Sequence, residues 1–492
     1  TLILTHLGGV IVFSGKDGST ARGFYYSAVG WMAFGMLVGL TAALLMIWPD
    51  FIKNSVTESL RQYLTFGRLR PVHTNVVMFG WLSGAYFGTM FYMLPRLGET
   101  RVWSEKLGNF TVLWYNLTIA AHAVALMAGY NTGREYAEQP WPVKYAMAVT
   151  FLLVAVNLFM TSSRRKEHEL YVTQWYMLGA LIWTPIIYAI GNQFLFPTNP
   201  ISGVNDAVVN WFYGHNILGY WFTPVGVGAL YYLLPKMTGN PLYSHKLSMI
   251  GFWTIAFVYG PTGAHHLVNG PVPQWLQTVA IAFSVSLIIP VWTVLTNFYG
   301  TMAGKWSLVR ESVPLKFAVA AASFYFITCF QGPMQALRSV SAVTHFTDWV
   351  VGHAHVALLG TFSFIMFASI YYALPRLTNR AVYSKPLQDW HFWLSFVGFS
   401  AFFISLTVGG LVKGFMWAAA EGDPTQFIDV VRAMKPYYVV RALSGAMILS
   451  AQLLFIYNIY KTATAGREIR LGETTMPQPA DLLAAGGATT EA

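Results

Sequence analysis

Apolar residues run through this chain in long blocks, broken by short stretches rich in charge, Pro and Gly. Each block is close to the roughly 20 residues a helix needs to cross a bilayer core. The pattern predicts twelve helical spans at about 24–48, 70–95, 108–131, 143–162, 172–193, 207–235, 246–268, 274–300, 314–338, 348–375, 388–412 and 437–460. The expectation is an all-α membrane protein, one domain over 1–464, with a small, polar, Gly/Ala-rich tail over 465–492 that is too poor in apolar residues to fold. No convincing internal repeat is visible along the chain.

Composition agrees: 55% of residues are hydrophobic and 10% charged, against about 25% charged in a soluble domain, which excludes a soluble globule. The one cysteine, Cys329, excludes a disulfide framework, a CxxC pair, a zinc ribbon and a CxxCH haem attachment. Any c-type haem must therefore sit on another chain. The net charge of +10 forms no patch interleaved with aromatics, so nucleic acid is not an expected partner. It follows membrane topology instead: 19 of the 30 Lys and Arg fall on the side that holds both ends of the chain. By the positive-inside bias both termini are expected in the cytoplasm. No cleavable signal peptide is evident, and the sequence begins at Thr1 without an initiator Met.

Against this topology the histidines become informative. His73 opens span 2, His215 lies early in span 6, His265 and His266 close span 7, and His353 and His355 lie early in span 10. Because successive spans alternate in direction, all six fall at a similar depth in the outer half of the membrane. Ionisable groups inside a membrane are costly, and neutral imidazole is a common metal ligand. One such histidine is best read as a core residue bonded to a carbonyl; six at one depth on four helices point to metal. His6, His168, His245 and His391 sit at loops or span ends and read as structural, while no motif supports His122 or His345.

Helical geometry suggests partners. His353 and His355 are about 200° apart around an α-helix and face opposite flanks of span 10. His265 and His266 are about 100° apart and can converge with His215 on one metal with an open position; imidazole suits copper, iron or zinc. Tyr259 precedes His266 by two α-helical turns and should share its face about 10 Å deeper, where a phenol could donate a proton and an electron. The spans carry almost no acids. Tyr231 or Tyr232 at the end of span 6, then Ser248, three turns from Tyr259, form a candidate hydroxyl line for protons from the cytoplasmic side, although such residues also serve helix packing.

The six histidines, with GHAH, WFYGHN, PVPQWLQ, THFTDW and GREYAE, resemble haem-copper oxidase subunit I over nearly the whole chain. Tyr259 on span 7 resembles the C family, the cbb3-type cytochrome c oxidases. The resemblance implies His73 and His355 as ligands of low-spin haem b, His353 as the ligand of high-spin haem b3, and His215, His265 and His266 as holding copper B. It implies Tyr259 as a redox tyrosine cross-linked to His215, Glu135 as a calcium ligand, and Arg70 and Arg441 as partners of the haem propionates. As buried cations those two arginines would otherwise need an acid. It further implies a bacterial inner-membrane oxidase reducing O2 to water, with electrons delivered by c-type cytochrome subunits. Two departures bear on proton handling: Gln331 stands where the family has an acid, and span 2 differs from its common form.

Nitric oxide reductases share the six histidines but hold iron at the second metal. They carry a glutamate one turn after the span 6 histidine and lack the tyrosine; here that position is Gly219. An ordinary twelve-span transporter fits the hydropathy alone.

Overall fold

The computed structural model describes residues 15–194, 198, 200–419 and 427–469. The expectations for His6 and for the tail from 470 onward lie outside these. Among the described residues the chain is helical, with one isolated β-bridge between Arg380 and Glu468. In hydrocarbon every backbone N–H and C=O needs a partner within its own segment, which a helix supplies. The long elements are α1 (Ser19–Ile47), α2 (Phe66–Leu97), α3 (Glu105–Ala128), α4 (Trp141–Ser163), α5 (Val172–Gly191), α6 (Gly203–Thr238), α7 (His245–Val258), α8 (Gln274–Thr301), α9 (Val313–Ala336), α10 (Asp348–Thr378), α11 (Lys385–Ala419) and α12 (Phe427–Ala465).

Each predicted span falls on one of these twelve elements. Ten are long and apolar enough to cross a membrane; α5 and α7 are not among them. The α-helix of α7 ends at Val258 after 14 residues and continues as a tighter 3-10 helix, Gly260–Leu267.

α2, α6 and α10 form the centre. Between 89% and 94% of their most apolar stretches is buried inside the protein, against 28–50% for the other spanning helices. All three contain a widened π-helical stretch: Val76–Ser83, Leu218–Phe222 and Val356–Ser363. In α2 and α10, Ser83, Thr361 and Ser363 return hydroxyl protons to carbonyls five residues back, occupying acceptors that a wide turn leaves poorly served. Trp81 Nε1 donates to Ser363 and Trp221 Nε1 to Ser83, both at 2.9 Å, tying α2 to α10 and to α6.

The structure also contains a repeat that is not apparent along the chain. Ser104, Ser244 and Ser384 stand 140 residues apart, and each accepts the N–H three residues on, at the start of α3, α7 and α11. Their own N–H groups donate to Asn157, Asn297 and Asn458. The preceding residues, Trp103, Tyr243 and Tyr383, donate to Thr161, Thr301 and Thr462. Three copies of one four-helix unit thus surround the axis, built on a few polar anchors.

Candidate functional site

The three copies carry different chemistry at equivalent places. The turn before the π stretch holds His73 and Asn75 in α2, Tyr213 and His215 in α6, and His353 and His355 in α10. Each wide turn begins just past these residues, and the two side chains of each pair, two apart in sequence, project on different flanks of their helix. π insertions commonly accompany functional sites.

On one flank, His73 and His355 face each other with ring centroids 6.2 Å apart and planes within 18°. His73 Nδ1 lies 2.7 Å from the Gly35 carbonyl and His355 Nδ1 2.8 Å from that of Val351. A carbonyl can only accept, so both Nδ1 atoms carry the proton and both Nε2 lone pairs are left for a ligand. The gap suits one metal bound from both sides at about 2 Å per nitrogen. Gly39 is needed here, because a Cβ would collide with the His73 ring.

On the other flank, His215, His265 and His266 bring one nitrogen each within 4.8 Å of one another. His215 Nδ1 is 3.1 Å from Nε2 of both His265 and His266. His265 Nδ1 lies 2.6 Å from Ser284 Oγ, whose only proton goes to the Ala280 carbonyl, so Nδ1–H donates and Nε2 is a lone pair. At most one of these three nitrogens can hold a proton usefully; a cation satisfies all three. Ser284→Ala should therefore lower metal retention at this cluster by about 10–100-fold, measured as metal per protein after dialysis against a chelator. Trp211 stacks on His266 at 3.9 Å. Trp211 opens the WFYGHN motif but its role there is not legible from it, and Ser284, 19 residues beyond His265, carries no sequence signal.

These rings, His353 and Tyr259 line one pocket together with Tyr325, Thr328 and Cys329. His353 Nδ1 is buried without a partner, and Gly332 lies beside its ring, the nearest His353 atom being 3.7 Å from where a Cβ would sit. The opposite-flank reading of span 10 is realised: His355 meets His73 and His353 meets the cavity.

Tyr259 reaches the cluster by a route that differs from the expected one. Residues 260–267 are 3-10 rather than α-helical, with three residues per turn, so the argument that Tyr259 and His266 share a face does not apply. Its ring instead stacks on His215 at 4.9 Å and 19°. Gly219 makes this possible, since any Cβ there would collide with Cδ1 and Cε1 of Tyr259.

The hydroxyl line is not formed as expected. Ser248 Oγ donates to its own helix at the His245 carbonyl, Tyr231 accepts from Asn297, and Tyr232 packs against Tyr92 and Tyr372. The groups nearer Tyr259 are Tyr220, with ring centroids 5.9 Å apart, and Tyr325, hydrogen-bonded to Cys329. His391, in the second turn of α11, is buried between Tyr371 and Gln452, bonded to both at 3.1 Å, which fits a structural histidine. Gln331 is buried in α9 and its amide oxygen has no partner.

At the outer side both arginines have acids. Arg70 pairs with Glu135 at 2.7 Å, and Arg441 lies 3.6 Å from the buried Asp348, which also faces Lys413. In the loop before α4, Glu138 is buried and accepts from Asn75 at 2.9 Å. Burial pushes its carboxyl up to about 7 from 4.5. The folded state therefore binds the proton more tightly, and stability present at low pH falls as pH rises from about 4.5 to about 7. Glu138→Gln should lose this dependence, so that its melting temperature stays flat across that window while the parent protein's declines.

Residues 19–447 match the family described as cytochrome c and quinol oxidase polypeptide I. The chain is 34% identical over 456 residues to a cbb3-type cytochrome c oxidase subunit CcoN1 from Stutzerimonas stutzeri, covering 91% of this chain and 95% of that one. It is 32% identical to a cytochrome c oxidase subunit 1 from Rhodobacter capsulatus, covering 92% and 86%. A nitric oxide reductase subunit from Stutzerimonas stutzeri is 26% identical, covering 87% and 91%. A solved haem-copper terminal oxidase shares the fold, with a TM-score of 0.71 at 17% identity over 93% of this chain and 86% of that one. With the paired imidazoles, the three-histidine cluster and this match across the bundle, the chain belongs to the cytochrome c and quinol oxidase polypeptide I family.

Proposed function

We propose that the chain is the catalytic subunit of a cbb3-type haem-copper oxidase, a twelve-span protein of the bacterial inner membrane with both termini in the cytoplasm. It reduces O2 to water with electrons received from c-type cytochrome subunits. His73 and His355 would hold low-spin haem b, His353 the high-spin haem b3, and His215, His265 and His266 copper B. When bound, these groups supply the redox centres and the site of oxygen activation. Arg70 and Arg441 would turn from Glu135 and Asp348 to the haem propionates, and the released Glu135 would hold calcium, a hard cation that takes carboxylate oxygens.

The protein's own residues do the rest. Carbonyls of Gly35 and Val351 and the hydroxyl of Ser284 fix the imidazole tautomers. The apolar walls exclude water, and the Tyr259 hydroxyl, held on the His215 ring, gives up a proton and an electron. Protons would arrive from the cytoplasmic side, and Tyr220 and Tyr325 are the hydroxyl groups beside Tyr259.

The observation that carries oxygen over nitric oxide reduction is the contact between Gly219 and Tyr259. A side chain at 219 and the tyrosine ring compete for one volume, so the reductase's glutamate and the oxidase's tyrosine are alternatives. Metal analysis with a reduced-minus-oxidised spectrum tests it: two b-type haems and one copper per chain are expected, and additional iron in place of copper would replace this reading with the reductase.

A further inference from the structure

We propose that the cytoplasmic mouth of the central axis is a binding site for a phosphate-bearing anion. The internal repeat creates it. Tyr92, Tyr232 and Tyr372, 140 residues apart on α2, α6 and α10, meet edge to face with ring centroids 6.1–6.5 Å apart. This faces all three positions to the axis. Four residues on, each helix carries a cation: Arg96, Lys236 and Arg376. Four residues advance a helix by about 6 Å and turn it about 40° beyond a full circle, so the cations stand one turn above the tyrosines on nearly the same face.

The arginines bear out that placement. Arg96 lies over the Tyr92 ring at 3.8 Å and Arg376 over the Tyr372 ring at 3.7 Å. Each also donates to the carbonyl of the same tyrosine. Cations at helix C-termini offset the helix dipole, which explains one per helix but leaves three cations at equivalent positions at one end of the axis. No carboxylate among the described residues forms an ion pair with any of the three. The Arg376 Nε–H is buried and has no partner. Arg96 and Lys236 are exposed, so the cluster is open to the side that the Lys/Arg distribution assigns to the cytoplasm.

Two guanidinium groups, each over the ring of a tyrosine in one edge-to-face trio, with an ammonium one turn beyond the third tyrosine and no acid paired to any of them, suit a tetrahedral oxyanion, which accepts from several donors at once. A phospholipid headgroup at the membrane surface and a soluble phosphate ester share that chemistry. The purified oxidase complex, delipidated in neutral detergent, separates them by thermal unfolding against phosphatidylglycerol, pyrophosphate and, as control, phosphatidylcholine. We expect a rise in midpoint with phosphatidylglycerol or with pyrophosphate, the responding probe identifying the source. Roughly tenfold more of it should be needed in Lys236→Gln/Arg376→Gln. If the double variant does not assemble, Lys236→Gln alone, with its exposed side chain, serves by the same criterion. No shift with either phosphate probe, an equal shift with phosphatidylcholine, or an unchanged response in the variants would overturn the proposal.

Discussion

Tyr259→Phe should lower steady-state oxygen reduction by at least about a hundredfold, the range lost with an essential proton donor, while both haems still assemble. The substitution removes one oxygen atom and keeps the ring that packs on His215 at 4.9 Å and fills the space left by Gly219. Spectra and copper content should therefore match the parent, so the loss is assignable to the hydroxyl. The reason for its size is electron counting. Oxygen reduction to water takes four electrons, and two haems with one copper leave one to be found nearby. Nitric oxide reduction takes two and needs no such donor. A variant that retained most oxidase activity would remove the role assigned to Tyr259 and shift the reading to the reductase.

The second large effect is a separation of the two haems by substitutions two residues apart. His355→Ala or His73→Ala should abolish the low-spin haem b signal, because each leaves the facing imidazole without its partner across the 6.2 Å gap. His353→Ala should spare that signal and remove the carbon monoxide-binding haem, because His353 lines the cavity with Tyr259 and the three-histidine cluster. The split is read from reduced-minus-oxidised and carbon monoxide difference spectra of the same preparations. An intact low-spin spectrum in His355→Ala would refute the ligand assignment on this flank.

The class of fold and the six histidines of the candidate centre are legible in the sequence. Apolar blocks of bilayer length can satisfy their backbones only as helices, so the twelve elements are set by composition and spacing. The six histidines are legible for a similar reason: an ionisable group inside a membrane is costly enough to need a purpose. The two-residue spacing of His353 and His355 fixes opposite flanks wherever the helix is packed.

Tertiary structure decided what depends on local departures from the ideal helix and on side chains distant in the chain. The 3-10 segment at 260–267 moves Tyr259 off the face that α-helical arithmetic assigns it, and its place comes from packing on His215 over Gly219. Ser284 bonds His265 from the next helix without a motif, and Trp211, although it opens WFYGHN, shows its contact with His266 only in the fold. Ser248 reads as a path residue by spacing, yet its proton returns to its own helix, as hydroxyls in apolar surroundings often do. The repeat is hidden in the sequence because lipid and neighbouring helices accept almost any aliphatic side chain of fitting size. What recurs is a small set of positions with polar or functional work, among them Ser104, Ser244 and Ser384, which meet Asn157, Asn297 and Asn458 at the helix ends, and Tyr92, Tyr232 and Tyr372 on the central helices.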